Sequence, residues 1–200
     1  VPQLDERPVY FVSSNIHSIT NLLTGYALSQ KASILKFLES SGNQDLLSEW
    51  EELQECNRCA SHENFFYYAL KKFQQTDAGA ASSSEMARDE AAHGITRVTA
   101  AHAFDVEAQV VELSRLDPQR FDPRLMPGDD FDFLRSSNAY LVNIDYPLGL
   151  GAYNVLSKIA EHIPETLGVY IMGKAATLNG VIGDVMIPSV VQDEHSQNTY

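Results

Sequence analysis

The stretch Ala139–Met172, AYLVNIDYPLGLGAYNVLSKIAEHIPETLGVYIM, decides the fold. Its first six residues, through Ile144, are β-branched or aromatic enough to form a strand, and Asp145–Gly151 is a glycine-bearing turn. Tyr153, Val155, Leu156, Ile159 and Ala160 follow at helical spacing and stop before Pro164. Leu167–Met172 is the next strand. A strand, helix and strand in that order imply a crossover between parallel strands. Gly149 and Gly151 at the end of the first strand, and Gly173 at the end of the second, then share the sheet edge where open α/β proteins bind ligands.

The chain downstream, Val169–Tyr200, reads as strand, small-residue turn, a second strand in GDVMIP, and the polar cluster Gln192–Ser196. That cluster contains Asp193, Glu194 and His195, side chains capable of acid–base work or of bonding substrate hydroxyls. Upstream, Val9–Val12 is a short strand and Ser13-Ser14-Asn15 behind it are helix-capping types. Apolar positions from Ile16 to Leu38 keep a three-and-four spacing and end near Gly42. Ser13, Asn15 and His17 therefore sit at a strand end and a helix start, a common place for ligands. The simpler reading is that Ser and Asn cap the helix and His17 is solvated. A second helical pattern runs from Leu46 to Leu70, with Glu49, Glu51, Glu52 and Glu55 as a solvated face. Gln74–Ser84 reads as a loop, and Ser82 with Glu85 as a capping box opening a third helix over 85–116. Residues 1–135 are thus expected to be a strand plus a mainly helical region, and 136–200 an α/β portion packed with it as one domain. The absence of an initiating Met and the stop at Tyr200 lead us to expect a piece of a longer protein.

The 200 residues are 44 % hydrophobic and 20 % charged, an ordinary globular balance. No apolar run approaches the ~18 residues of a membrane span, and the N-terminus lacks the pattern of a signal peptide. A cytoplasmic protein with no membrane partner is the expectation. The 27 acidic residues exceed the 14 basic ones by 13, which argues against nucleic acid, because phosphate backbones require clustered Lys and Arg. Lys71-Lys72 is the one adjacent basic pair.

Three patterns have a metal-binding reading and a plainer one. Cys56, Cys59 and His62 could supply three ligands of a zinc site, but two small helix residues one turn apart explain the cysteines more simply. Glu90 and His93 have the E-x-x-H spacing of di-iron bundles, without the second pair such a site needs. Asp129, Asp130 and Asp132 lack the alternation and closing glutamate of a calcium loop. No resident metal or cofactor is expected.

The order of motifs in IDYPLGLGAYNVLSKIAEH, YIMGKAATLNGVIGDVMIP and DEHSQNTY resembles the purine and uridine nucleoside phosphorylase superfamily, over about residues 139–200. Gly173 and Gly183-Asp184 are its strongest points. The resemblance implies an α/β fold, a three-layer open sheet of nucleoside-phosphorylase type, with a large helical insertion or N-terminal helical region. It implies cleavage of the N-glycosidic bond of a nucleoside or related N-riboside, with phosphate as a possible co-substrate, a small-molecule substrate and a homo-oligomer. Asp193, Glu194 and His195 become candidate catalytic residues. Gly149, Gly151, Gly173, Lys174, Asp184, Ser13, Asn15 and His17 become candidate anion- or substrate-binding residues. The superfamily's phosphorylases carry Arg where Ile171 stands, and Lys174 follows Gly173, so a phosphate site here would be built on Lys174 and loop amides. A non-catalytic ligand-binding or structural relative is the alternative, since a fold does not fix a function.

Overall fold

A computed structural model describes residues 3–55, 61–101, 106–125, 130–145, 150–173, 180–181, 183–190 and 197. Strand β1 (Val9–Ser14) leads into six helices: α1 (Ser18–Thr24), α2 (Tyr26–Ser29), α3 (Lys31–Ser41), α4 (Gln44–Glu55), α5 (His62–Phe73) and α6 (Ala80–Ala92). The hairpin of β2 (Ile95–Val98) and β3 (Ala108–Glu112) follows. Then come the short α7 (Asp132–Ser136), β4 (Tyr140–Asp145), α8 (Leu150–Ala160) and β5 (Thr166–Ile171). The five strands form one open mixed sheet in the order β2-β3-β4-β1-β5. β1 runs parallel to β4 and to β5, whereas β3 is antiparallel to both β2 and β4.

The β-α-β unit read from the sequence is present, and β1 lies between its two strands. The carboxyl ends of β4, β1 and β5 therefore share one edge. Alternation along the strands divides the core in two. Val9, Phe11, Val110, Val142 and Ile144 face Val155, Leu156 and Ile159 of α8. Tyr10, Val111 and Leu141 face the other way, toward Leu23 of α1, Phe121 and Leu134. The sheet thus carries helical cover on both faces. A separate helical core holds Ile34, Leu38, Leu46, Leu53, Phe65, Phe66, Leu70 and Phe73, with Trp50 stacked 5.2 Å from Phe65. Among the described residues no helix is long and apolar enough to cross a membrane.

Four expectations need correction. The helix over 85–116 ends at Ala92, and β2 and β3 take the rest. Gly94 turns the chain at φ +78°, where an added Cβ would lie 2.7 Å from the Arg115 Cβ. Val106 and Val110 keep a helical spacing that runs into β3, and its two valines, Val110 and Val111, are adjacent instead of alternating, so the strand was hidden. α6 also begins at Ala80, ahead of the expected box, because Ser82 is buried and its hydroxyl meets the Tyr26 hydroxyl at 3.1 Å instead of capping a helix. The single helix expected from Ile16 is three, broken at Gly25. Finally, Gly183–Pro188 forms no strand.

Gly25 has φ +60°, and an added Cβ would lie 2.3 Å from the Arg120 carbonyl oxygen. Backbone of one segment packs there directly on another, in a conformation that L side chains resist. Gly25→Ala is expected to lower unfolding stability by about 2 kcal/mol or more, measured by urea denaturation.

Candidate functional site

At the carboxyl end of β1 the chain turns from strand into α1 under the grip of side chains from β3 and β4. The Asn143 amide donates to the Asn15 carbonyl at 3.3 Å, and the Gln109 amide donates to the Ile16 carbonyl at 2.8 Å. The Ile16 N–H donates to Asp145 Oδ1 at 3.2 Å. Ser14 Oγ donates to Asn143 Oδ1 at 2.9 Å, and the two amides meet at 3.3 Å. Gln109 and Asn143 are fully buried, so each must find such partners. Asn15 Oδ1 accepts from the N–H groups of His17 and Ser18 at 3.0 and 2.7 Å in the turn leading into α1, whose N-cap is His17 and makes no side-chain cap bond, so the capping reading of Ser and Asn holds only as this turn.

His17, presented by this turn, stands at the mouth of a cavity of about 620 Å³ between α1 and α5. Ser18, Asn21 and Leu22 form the α1 wall. Asn64, Tyr67, Lys71 and Gln74 form the opposite wall, at intervals of three and four residues along one face of α5, with Tyr68 beside them. The other face of α5 carries Phe65, Phe66, Ala69 and Phe73 into the helical core. Leu70, Met86 and Arg124 complete the lining. A smaller cavity of about 250 Å³ adjoins it, sharing His17, Gln74 and Met86 and adding Glu90 and Arg97.

The whole sequence, residues 1–200, matches a family described as "Family of unknown function (DUF6909)". The chain belongs to that family. No curated protein and no solved structure matches it.

In this DUF6909 chain the charges around the cavity are strongly organised. Asp122 is fully buried and accepts from Arg124 Nε at 2.8 Å and Nη2 at 2.7 Å, as well as from the Tyr67 hydroxyl. Chiefly through Arg124, its pKa falls to about 2. Burial and the bond to Asp122 push the Tyr67 phenol up. His17 is exposed, yet partial burial of its ring and the positive charges of Lys71 and Arg97, against the opposing Asp145 and Glu107, lower its pKa from 6.5. His17 is therefore neutral at pH 7. Glu90, 1 % exposed, accepts from Arg97 Nε at 2.5 Å and Nη2 at 2.6 Å.

Of the site residues expected from the sequence, Ser13, Asn15 and His17 lie together at the end of β1. Gly173 follows β5 close by, since the Met172 N–H donates to the Ser13 carbonyl at 2.9 Å. Gly151 is in the first turn of α8. Asp184 is an exposed turn residue whose Oδ2 accepts from the Val181 N–H at 2.9 Å, the plainer of its two readings. Gly149, Lys174, Asp193, Glu194 and His195 lie outside the described residues, as do Cys56 and Cys59. The metal readings gain nothing: Glu90 pairs with Arg97, while His93 Nε2 lies 2.7 Å from Arg120 Nη1. Among the described residues no group of three metal-ligating side chains forms. Sequence reasoning missed the α5 wall, although its polar spacing is visible in ENFFYYALKKFQQ. It also missed Gln109, an amide in an apolar strand.

The Asp122 cluster ties the 118–125 segment to α5 and so shapes the cavity. Asp122→Asn is expected to cost about 2 kcal/mol near neutral pH. Because the folded pKa is depressed, the wild-type advantage is complete above the ordinary value of 3.8 and disappears as pH falls through about 2. Denaturation of both proteins between pH 7 and pH 2 checks this.

Proposed function

We propose that this protein binds a nucleoside or related N-riboside in the cavity between α1 and α5 and cleaves its N-glycosidic bond. The observation that carries the reading is a neutral His17 at the carboxyl end of a central parallel strand, opening on a cavity walled by Tyr67 and Tyr68. Flat aromatic walls suit a planar base. Asn21, Asn64 and Gln74 supply the mixed donors and acceptors that ribose hydroxyls need. The resemblance of residues 139–200 to nucleoside phosphorylases points to the same chemistry.

In the hydrolytic form, His17 takes a proton from water as the oxygen attacks the anomeric carbon. The carbon–nitrogen bond breaks with its electron pair going to the base, which then takes up a proton from solvent or an acid group. Charge builds on the leaving base and positive character builds on the sugar, so preorganised donors lower the barrier. In the phosphorolytic form, phosphate replaces water and needs no deprotonation by His17. A second reading, a ligand-binding protein without catalysis, is favoured by one feature: among the described residues no carboxylate lines the large cavity.

Release of free base from a nucleoside panel, with and without phosphate, tests the proposal. Activity without phosphate is expected, and His17→Ala should lower kcat by about 100-fold or more. The acid limb of the pH–rate profile should lie below pH 6.5, the unshifted value of the group that must be neutral. Tight binding of nucleosides with no base release would leave only the ligand-binding reading.

A further inference from the structure

The two adjoining cavities reverse the charge of the molecule. The chain carries 27 acidic residues against 14 basic ones, yet among the described residues the charged side chains lining the cavities are Lys71, Arg124 and Arg97 against one carboxylate, Glu90. Each cation has a different status. Arg124 is committed to Asp122. Arg97 is held by Glu90 through Nε and Nη2, two of the five N–H donors a guanidinium has. Lys71 has no carboxylate within ion-pair distance among the described residues.

We propose that the ligand of this site carries a phosphate ester, seated where the two cavities meet beside His17 and held by Lys71 and Arg97. Building on the N-riboside reading above, this makes the ligand class a nucleoside monophosphate or an equally phosphorylated N-riboside. The volumes suit the division: the cavity of about 620 Å³ takes base and sugar, and the cavity of about 250 Å³ takes the compact anion. The shared wall of His17, Gln74 and Met86 places the junction at the carboxyl end of β1. The fields of both cations reach the His17 ring, against the opposing fields of Asp145 and Glu107. The buried Glu90 has a positioning role, fixing the plane of the Arg97 guanidinium so that its outer N–H groups meet an oxyanion in a set orientation. A lysine on the exposed side of α5 can approach the same anion as a mobile point charge.

Isothermal titration on the whole chain at low ionic strength decides the matter. The ligands are nucleoside monophosphates, their parent nucleosides, the nucleosides with added inorganic phosphate, and phenyl phosphate. Monophosphates are expected to bind about tenfold or more tighter than nucleosides, and Lys71→Gln, an exposed substitution that leaves the core intact, should remove most of that preference. Equal binding of the two forms, or a preference that Lys71→Gln leaves unchanged, overturns the phosphate seat. So does recovery of the full preference when inorganic phosphate is added to the nucleoside, which would make phosphate a co-substrate instead. Phenyl phosphate binding as tightly as the monophosphates, with the same dependence on Lys71, keeps the seat and discards the N-riboside. Binding of nucleosides alone, independent of Lys71, keeps the N-riboside and discards the seat.

Discussion

The organisation of this molecule depends on two fully buried amides, Gln109 on β3 and Asn143 on β4. An amide in a sheet interior costs stability unless its hydrogen bonds are made, and then it fixes geometry more sharply than an apolar side chain would. Here the partners are the carbonyls of Asn15 and Ile16, main-chain groups that the end of a strand leaves without a neighbour. The two needs satisfy each other. With Asp145 accepting from the Ile16 N–H, the two consecutive peptide groups on either side of Ile16 are held by side chains of the adjacent strands. The position of His17 follows from the sheet and not from a loop free to move.

The second constraint is that the helical region has a core of its own. Phe65, Phe66, Leu70 and Phe73 pack with Ile34, Leu38 and Leu46, away from the sheet. Much of what joins this unit to the sheet and its covering segments is polar and specific: Glu90 to Arg97, Asp89 to Arg120, and Tyr67 to Asp122. Where two apolar cores meet across polar links, the surfaces do not interdigitate fully, and a cavity is left between α1 and α5. Links of this kind fix an orientation while adding little net stability each. A ligand cleft between units needs that combination.

The sequence made some of this legible and hid the rest for identifiable reasons. β1, β4, α8 and β5 are visible because their apolar periods are clean and glycine or proline bounds them. β2 and β3 were lost in a helix because Val106 and Val110 keep a helical spacing and the two valines of β3 are adjacent instead of alternating. Breaks at Gly25 and Gly94 depend on distant backbone, Arg120 and the turn near Arg115, which no local pattern reports. β5 shows the opposite case: it reads as a buried parallel strand, yet Val169 and Ile171 are 43 % and 75 % exposed among the described residues. Of the site, the β1–α1 turn was legible and its partners were not. A polar stripe such as Asn64, Tyr67, Lys71 and Gln74 looks like an ordinary solvated helix face until another helix is placed opposite it.

Net charge argues on a different length scale from a site. At physiological salt, exposed charges beyond about 8 Å are largely screened, so the acidic face of α4, with Glu49, Glu51, Glu52 and Glu55 exposed, contributes little field inside the cavity. The excess of acid speaks against long polyanions, which must lie along many ångströms of surface. It places no such restriction on a compact anion entering a cleft lined by Lys71 and Arg97. His17, Lys71 and Arg97 are themselves exposed, so any local preference for an anion there comes from the closeness of the two cations, set against the nearby carboxylates of Glu90, Glu107 and Asp145, and not from a dry interior. Partial burial of the ring and the two cations hold the His17 pKa below its ordinary value. The His17 imidazole and the proposed anion seat thus share one location, where the β1–α1 turn meets α5 and α6.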